Sequence, residues 1–214
     1  MEDRYTETHQ TWDHIAQLYE DKFMYLDLYD DTYQTFCDSL AIENASVLEL
    51  GCGPGNITKH LLRLKPDLQI LATDVSEQMI IRASKNNPGI NARILDCRNL
   101  ESIHQKFDGI MCGFTIPYLS KSDCKHLIYN CHQLLRENGI LYLSFVPGDY
   151  TKSGFISGST GERTYFYYHD TNILKQTLES NYMTVSHQIE KIYPKSDGTL
   201  ETHVILIAQK NINI

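Results

Sequence analysis

The chain has 214 residues, 42% of them hydrophobic, which suits one domain with a small appendage and allows a sizeable core. Its formal charge of −8 argues against a broad basic footprint for duplex nucleic acid or an anionic membrane. No apolar run approaches the length of a bilayer span, and the polar start MEDRYTETHQTWDH reads as neither signal nor transit peptide. Six cysteines without a CxxC, mostly among apolar neighbours, read as reduced, buried thiols of a cytoplasmic protein. The nine histidines show no metal-ligand spacing, so no metal is expected.

Residues 1–40 predict helix, with Leu26, Tyr29, Tyr33, Phe36, Cys37 and Leu40 recurring at helical spacing. From residue 46 strand and helix alternate. VLEL (47–50) reads as a buried strand and ITKHLLRL as the helix after it. QILATD (69–74) is the next strand, followed by the helix SEQMIIRASKNN with Ser76 as N-cap. ARIL (92–95) and FDGIMCGF (107–114) are the third and fourth strands. SKSDCKHLIYNCHQLLRENG carries one apolar stripe and predicts a helix stopped by Gly139, then a fifth strand over 140–146. Residues 147–170 predict a mobile loop over the acceptor pocket, with 165–168 reading equally as a strand that enters the next helix. DTNILKQTLESN reads as helix, and MTVSHQIEKIY and ETHVILIAQK as an antiparallel hairpin turning through PKSDGTL. Repeated strand–helix units imply an α/β chain with a mostly parallel sheet covered on both faces. In such sheets ligands bind at the carboxyl ends of the strands.

The stretch VLELGCGPGNIT (47–58) stands at that kind of place. Glycines at alternate positions 51, 53 and 55 permit a sharp turn and close approach of a ligand to the backbone. A dinucleotide fingerprint needs a third glycine where Asn56 stands, and no Gly-Lys-Ser/Thr follows for a phosphate loop.

ELGCGPG resembles motif I of the class I S-adenosylmethionine-dependent methyltransferases, and the resemblance extends in order over about residues 40–210. It implies a Rossmann-like seven-stranded sheet ending in the antiparallel hairpin, with residues 41–214 as the methyltransferase domain and 1–40 as a helical lid. It implies S-adenosylmethionine as cofactor, held by Gly51, Cys52, Gly53, Gly55 and Asn56. Asp74, at the end of strand two, would accept from both ribose hydroxyls. Val75 and Met79 would line the adenine face. Asp96 would accept from the adenine amino group, with the backbone N–H of Cys97 on a ring nitrogen. Glu49 would hold the loop amides or the methionine ammonium, and Phe114 would approach the methionine portion. TWDHIAQLYEDKF is similar to the lid of small-molecule family members, with Tyr19 on the methionine carboxylate.

The acceptor is less legible, because a methyl sulfonium is already an activated electrophile and needs mainly alignment and exclusion of water. TIPY (115–118) matches the Asn/Asp/Ser-Pro-Pro-Tyr of amine methyltransferases only at Pro117 and Tyr118. Tyr118 and His169 are the weak catalytic candidates. A small-molecule acceptor leads. An amine of a macromolecule and a non-catalytic cofactor-binding module stay open as alternatives, as does oligomeric state.

Overall fold

The structure is a computed structural model and describes residues 4–158 and 160–212. Three helices come first: α1 (Arg4–His14), α2 (Ala16–Phe23) and α3 (Asp30–Ser39). The alternating stretch then gives β1 (Ser46–Leu50), α4 (Asn56–Leu64), β2 (Gln69–Asp74), α5 (Glu77–Asn86), β3 (Asn91–Ile94) and β4 (Phe107–Cys112). It continues with α6 (Lys121–Leu134) and β5 (Leu135–Phe145). The rest of the chain forms β6 (Gly154–Ser157), β7 (Arg163–Phe166), α7 (Thr171–Ser180), β8 (Met183–Pro194) and β9 (Leu200–Lys210). Seven strands make one sheet in the order β3-β2-β1-β4-β5-β9-β8. β1 pairs in parallel with both β2 and β4, β5 pairs in parallel with β4, and β9 runs antiparallel to β5 and β8. The strand order reverses between β1 and β4, which places the topological switch point just beyond Leu50.

All of β1 is buried, as its unbroken apolar run requires of a central parallel strand. Leu48 and Leu50 pack on one side with Leu127, Ile128 and Leu174 of α6 and α7. Val47 packs on the other side with Phe36 of α3 and Leu61 of α4. Each such side chain contributes about 1.5–3 kcal/mol on burial. Gly109 in β4 lets α3 lie close: a Cβ there would sit 2.8 Å from Phe36 and 2.9 Å from Leu40. The six cysteines are free thiols, five of them buried.

Two expectations are corrected. The helix over SKSDCKHLIYNCHQLLRENG ends at Leu134, not at Gly139. Its last carbonyls are met by lysines: Lys210 Nζ donates to His132 O (2.8 Å) and Leu135 O (3.0 Å), and Lys106 Nζ donates to Gln133 O. The left-handed residue falls on Asn138 (φ 62°), inside an irregular start of β5 where the register slips between Phe107↔Leu135 and Gly109↔Ile140. The stretch 147–170 contains the hairpin β6–β7, a separate two-stranded sheet, so the strand reading near 165–168 holds in part and the loop reading fails at β6. Helix α1 satisfies the outer edge of β7: Tyr165 N donates to Thr8 Oγ1 (2.9 Å) and Thr11 Oγ1 donates to Arg163 O (2.7 Å). Both threonines are buried. At the other end of α1, Asp13 Oδ1 accepts from Ser76 Oγ (2.7 Å) and Gln78 N (3.0 Å) at the start of α5. Ser76 itself caps α5 by accepting from Met79 N.

Candidate functional site

A cavity of about 120 Å³ lies at the carboxyl ends of β1 to β4. Its floor comes from the sheet: Gly51 and Gly53 after β1, Asp74 and Val75 at the end of β2, Leu95 to Arg98 after β3, and Gly113 to Thr115 after β4. Met79 of α5 and Tyr118 and Leu119 ahead of α6 complete the lower wall. Tyr5, Thr8, His9 and Trp12 of α1 and Tyr19 of α2 close it from above.

The three glycines are left-handed, with φ of 69°, 54° and 81° at Gly51, Gly53 and Gly55, but they do different things. A Cβ on Gly51 would run into the Thr115 hydroxyl, which is fixed by donating to Leu50 O (2.8 Å). A Cβ on Gly55 would meet the Asn87 amide and sit 3.0 Å from the Ala83 Cα of α5. A Cβ on Gly53 would meet only Tyr19 at 3.6 Å and Asn56 Oδ1 at 3.8 Å, ordinary contacts, on the cavity side. Gly51 and Gly55 are therefore fixed by protein packing, and Gly53 leaves room.

Asp74 bridges loop and strand. Its Oδ2 accepts from Gly53 N and its Oδ1 from Ser76 N, both at 2.9 Å, and each oxygen keeps a lone pair. Burial raises its pKa against these hydrogen bonds. Asp96 is gripped in a fork by Arg98, whose Nε lies 3.0 Å from Oδ1 and Nη2 2.5 Å from Oδ2. Burial would push the Asp96 carboxyl up, but the Arg98 guanidinium outweighs it and holds the pKa low. The same guanidinium stacks 3.9 Å over Tyr5. Tyr5 Oη accepts from Ser120 N (3.0 Å) and donates to Asp123, which ties α1 to the start of α6. Trp12 meets Tyr19 and Tyr118 edge-on, with ring centroids 5.5 and 5.2 Å away. Burial pushes the Tyr19 phenol up to about 12 and raises that of Tyr118 as well. Phe114 is left-handed (φ 53°), its N–H held by Ser144 Oγ at 2.8 Å.

Of the residues expected at the site, Tyr19, Gly51, Gly53, Asp74, Val75, Met79, Asp96, Cys97, Phe114 and Tyr118 border this one cavity. Five others stand outside its lining. Glu49 points to the opposite side of β1, where Thr58 Oγ1 donates to its Oε2 at 2.5 Å and its Oε1 is buried without a partner. Burial pushes its pKa up to about 8. Cys52 is buried and its N–H donates to Thr73 O (2.9 Å). Gly55 and Asn56 begin α4, with Gly55 O accepting from Asn87 Nδ2 at 2.9 Å. His169 is buried and shares its Nε2 between Ile116 O (3.2 Å) and Leu119 O (3.1 Å), so it braces the turn through TIPY and does not reach the cavity. Tyr5, Thr8, His9, Trp12 and Arg98 line the cavity without having been singled out, and Thr115 was weighed only as a mismatch within TIPY. Of these, only Trp12 falls in the lid-like stretch TWDHIAQLYEDKF.

Residues 47–139 match the family model of a methyltransferase domain. Putative methyltransferase 235L of Invertebrate iridescent virus 6 is 30% identical over 112 residues, 51% of this chain and 41% of that protein. Carboxy-S-adenosyl-L-methionine synthase of Shewanella oneidensis is 32% identical over 123 residues, 53% of this chain and 49% of that protein. The chain thus spans half or less of the length of these curated relatives. In fold it is similar to the Burkholderia thailandensis 1,6-didemethyltoxoflavin-N1-methyltransferase, solved with 1,6-didemethyltoxoflavin and S-adenosylhomocysteine. The TM-score is 0.73 at 16% identity, covering 97% of this chain and 88% of that one.

Proposed function

We propose, for a chain that belongs to the class I S-adenosylmethionine-dependent methyltransferase family, that it moves a methyl group from S-adenosylmethionine to a small-molecule acceptor. One observation carries the reading. The ends of four adjacent strands bring Gly53, Asp74, Asp96 and Phe114 to a single cavity, with Gly53 leaving space on the cavity side. These residues suit the group. Asp74 keeps one lone pair on each oxygen for the two ribose hydroxyls, and the Gly53 and Ser76 amides fix the direction of those lone pairs. Asp96, ionised and oriented by Arg98, accepts from the adenine amino group, and the backbone N–H of Cys97 serves a ring nitrogen. Val75 and Met79 offer apolar contact to the adenine faces. Tyr19 reaches the methionine carboxylate through its hydroxyl, and Phe114 borders the sulfur end. Glu49 acts from behind the loop, through Thr58 and the start of α4, and not by touching the cofactor.

When bound, the cofactor supplies an activated electrophile. The chain's own task is to align the acceptor and keep water out. Trp12, Tyr19 and Tyr118 form an edge-to-face aromatic cover suited to that, and α1 with α2 acts as the lid. Two helices roof the cavity, and a formal charge of −8 disfavours a polyanionic target, which together favour a small acceptor. The Thr115 hydroxyl is spent on Leu50 O and offers no carboxamide or carboxylate to a target amine. The test is release of S-adenosylhomocysteine from isotope-labelled cofactor incubated with a fractionated metabolite pool. Label transferred into a low-mass fraction supports the reading. Tight cofactor binding without transfer, or transfer only into macromolecules, would replace it with one of the alternatives.

A further inference from the structure

Phe114 closes the cavity at the β4 end, and a buried polar cluster stands directly behind it. His203, near the start of β9, is 6% exposed. Its Nδ1 lies 2.7 Å from Tyr29 Oη and its Nε2 lies 3.0 Å from Glu201 Oε2. An ionised carboxylate only accepts, so Nε2 carries the hydrogen and Nδ1 is left to accept from the Tyr29 hydroxyl. The imidazole is therefore satisfied as a neutral ring. Tyr193 of β8 stacks on it at 5.1 Å and 11°, and Tyr29 stands nearly parallel at 6.0 Å and 9°. Phe114 meets the His203 ring edge-on at 4.9 Å and the Tyr29 ring at 5.1 Å. Nothing in the cofactor reading uses this cluster, although it braces a left-handed residue of the cavity wall.

We propose that Tyr29, His203 and Glu201 form a charge-setting array behind Phe114 that makes the site prefer the sulfonium of S-adenosylmethionine to the thioether of S-adenosylhomocysteine. The proposal rests on the cofactor reading above, with Phe114 at the sulfur end. Substrate and product differ by one methyl group and one positive charge. With His203 neutral the array carries the Glu201 carboxylate, 26% exposed and 3.8 Å from Lys195, behind the rings of Tyr29 and Phe114. Protonating His203 adds one positive charge to it. His203 is a positioning residue here: it holds Phe114 and sets the field, and it does not touch the cofactor. The consequence is relief of product inhibition, since the array favours loading of substrate over retention of product.

The charged and titratable groups around His203 come from several elements. They are Tyr29 from the segment before α3, Tyr193 from β8, Glu201 on β9, and Lys195 of the turn, 3.8 Å from Glu201. Lys191 of β8 is the cross-strand partner of His203, and its charge is paired with Asp31 of α3 at 2.6 Å. Tyr19 of α2 stands behind Tyr29 and Tyr193. Burial lowers the His203 pKa and Glu201 opposes it, with burial prevailing. The titration step thus falls below the ordinary imidazole range. A unit charge roughly 10 Å from a sulfonium, at an effective dielectric of about 20–40, changes affinity on the order of four- to fifteenfold.

The test is calorimetric affinity for S-adenosylmethionine and for S-adenosylhomocysteine from about pH 8 to about pH 5, in wild type, His203→Gln and Glu201→Gln. The ratio of the two affinities cancels titrations that act equally on both ligands. All three proteins, wild type here meaning unchanged at His203 and Glu201, carry Glu49→Gln to remove the carboxyl that titrates near pH 8 behind the glycine loop. The preference for the sulfonium should fall several-fold on acidification in wild type. It should be flat in His203→Gln, and already low at pH 8 in Glu201→Gln. Should His203→Gln fail to fold, the Glu201 variant decides, because that side chain is 26% exposed and its loss is tolerable. A flat wild-type ratio overturns the array, as does a slope that persists in His203→Gln or an unchanged preference in Glu201→Gln. Failure of wild type to bind S-adenosylhomocysteine at any pH is a different result and removes the cofactor reading, and the array with it.

Discussion

Gly53→Ala and Gly55→Ala should separate binding from stability. Both positions are left-handed, so an L side chain costs about 1–2 kcal/mol of backbone strain at either one. At Gly53 little more is expected, since the new Cβ meets only Tyr19 at 3.6 Å and Asn56 at 3.8 Å. At Gly55 it would press on the Asn87 amide, which donates to Gly55 O at 2.9 Å, and on the Ala83 Cα at 3.0 Å. The amide can swing away only by leaving a buried hydrogen bond, at about 1–3 kcal/mol, and the helix backbone cannot yield cheaply. The total for Gly55→Ala is therefore about 2–5 kcal/mol, against about 1–2 kcal/mol for Gly53→Ala. Urea unfolding measures both. Calorimetry with S-adenosylhomocysteine should show the reverse order of effect: Gly53→Ala loses at least tenfold in affinity while staying folded, because its methyl group occupies space on the cavity side. Unchanged affinity in a folded Gly53→Ala protein would refute the claim that this loop faces the cofactor.

Asp74→Ala should weaken S-adenosylhomocysteine by about 1.5–3 kcal/mol, roughly ten- to a hundredfold, and should erase discrimination against its 2′-deoxy analogue. Equal penalties for the missing hydroxyl in both proteins would show that Asp74 does not read the ribose. Glu49 holds its proton in the folded state up to about pH 8, whereas the unfolded chain releases it near the ordinary carboxyl value. The folded state thus binds more protons across that window, and stability of the unliganded protein should fall as pH rises from about 5 to about 8. Glu49→Gln should flatten that fall, by on the order of 2–4 kcal/mol at the upper end, in urea unfolding at a series of pH values. Thr8→Val removes the acceptor of the Tyr165 amide at the outer edge of β7. Hydrogen exchange at that amide should speed up at least tenfold while exchange in β1 and β4 is unchanged, and equal protection would mean that α1 does not hold the hairpin.

The sheet was legible because its central strands are short apolar runs between turn residues, and VLEL or QILATD has no other way to hide its surface. Ser76 and the hairpin turn through PKSDGTL were legible for the same local reason. The end of α6 was not. Gly139 looked like a stop, but the stop is delivered by Lys210 and Lys106, which are remote from it in sequence. A strand near 165–168 was legible, but its pairing with β6 was hidden because the hairpin's edge is completed by Thr8 and Thr11 of α1, about 150 residues earlier in the chain. The site divides along the same line. Gly53, Asp74, Asp96 and Phe114 sit at strand ends in chain order, so spacing exposed them. Arg98 and Tyr5 matter through a stacked pair that no spacing announces. Glu49 was placed on the right strand, but the two-residue alternation of a strand turns its side chain away from the cavity, toward Thr58. His169, ahead of a helix, read first as a cap or surface residue and only weakly as a base, and it is neither. Its burial against two carbonyls of the TIPY turn depends on a contact more than 45 residues away in sequence.

Titration of wild-type protein with S-adenosylhomocysteine asks whether the cavity at the strand ends holds the cofactor. The chain has a single tryptophan, Trp12, and it borders the cavity, so calorimetry and tryptophan emission read the same event. One site with micromolar affinity, about −8 kcal/mol, and a matching change in Trp12 emission are expected. No heat of binding together with unchanged emission would contradict the cofactor reading.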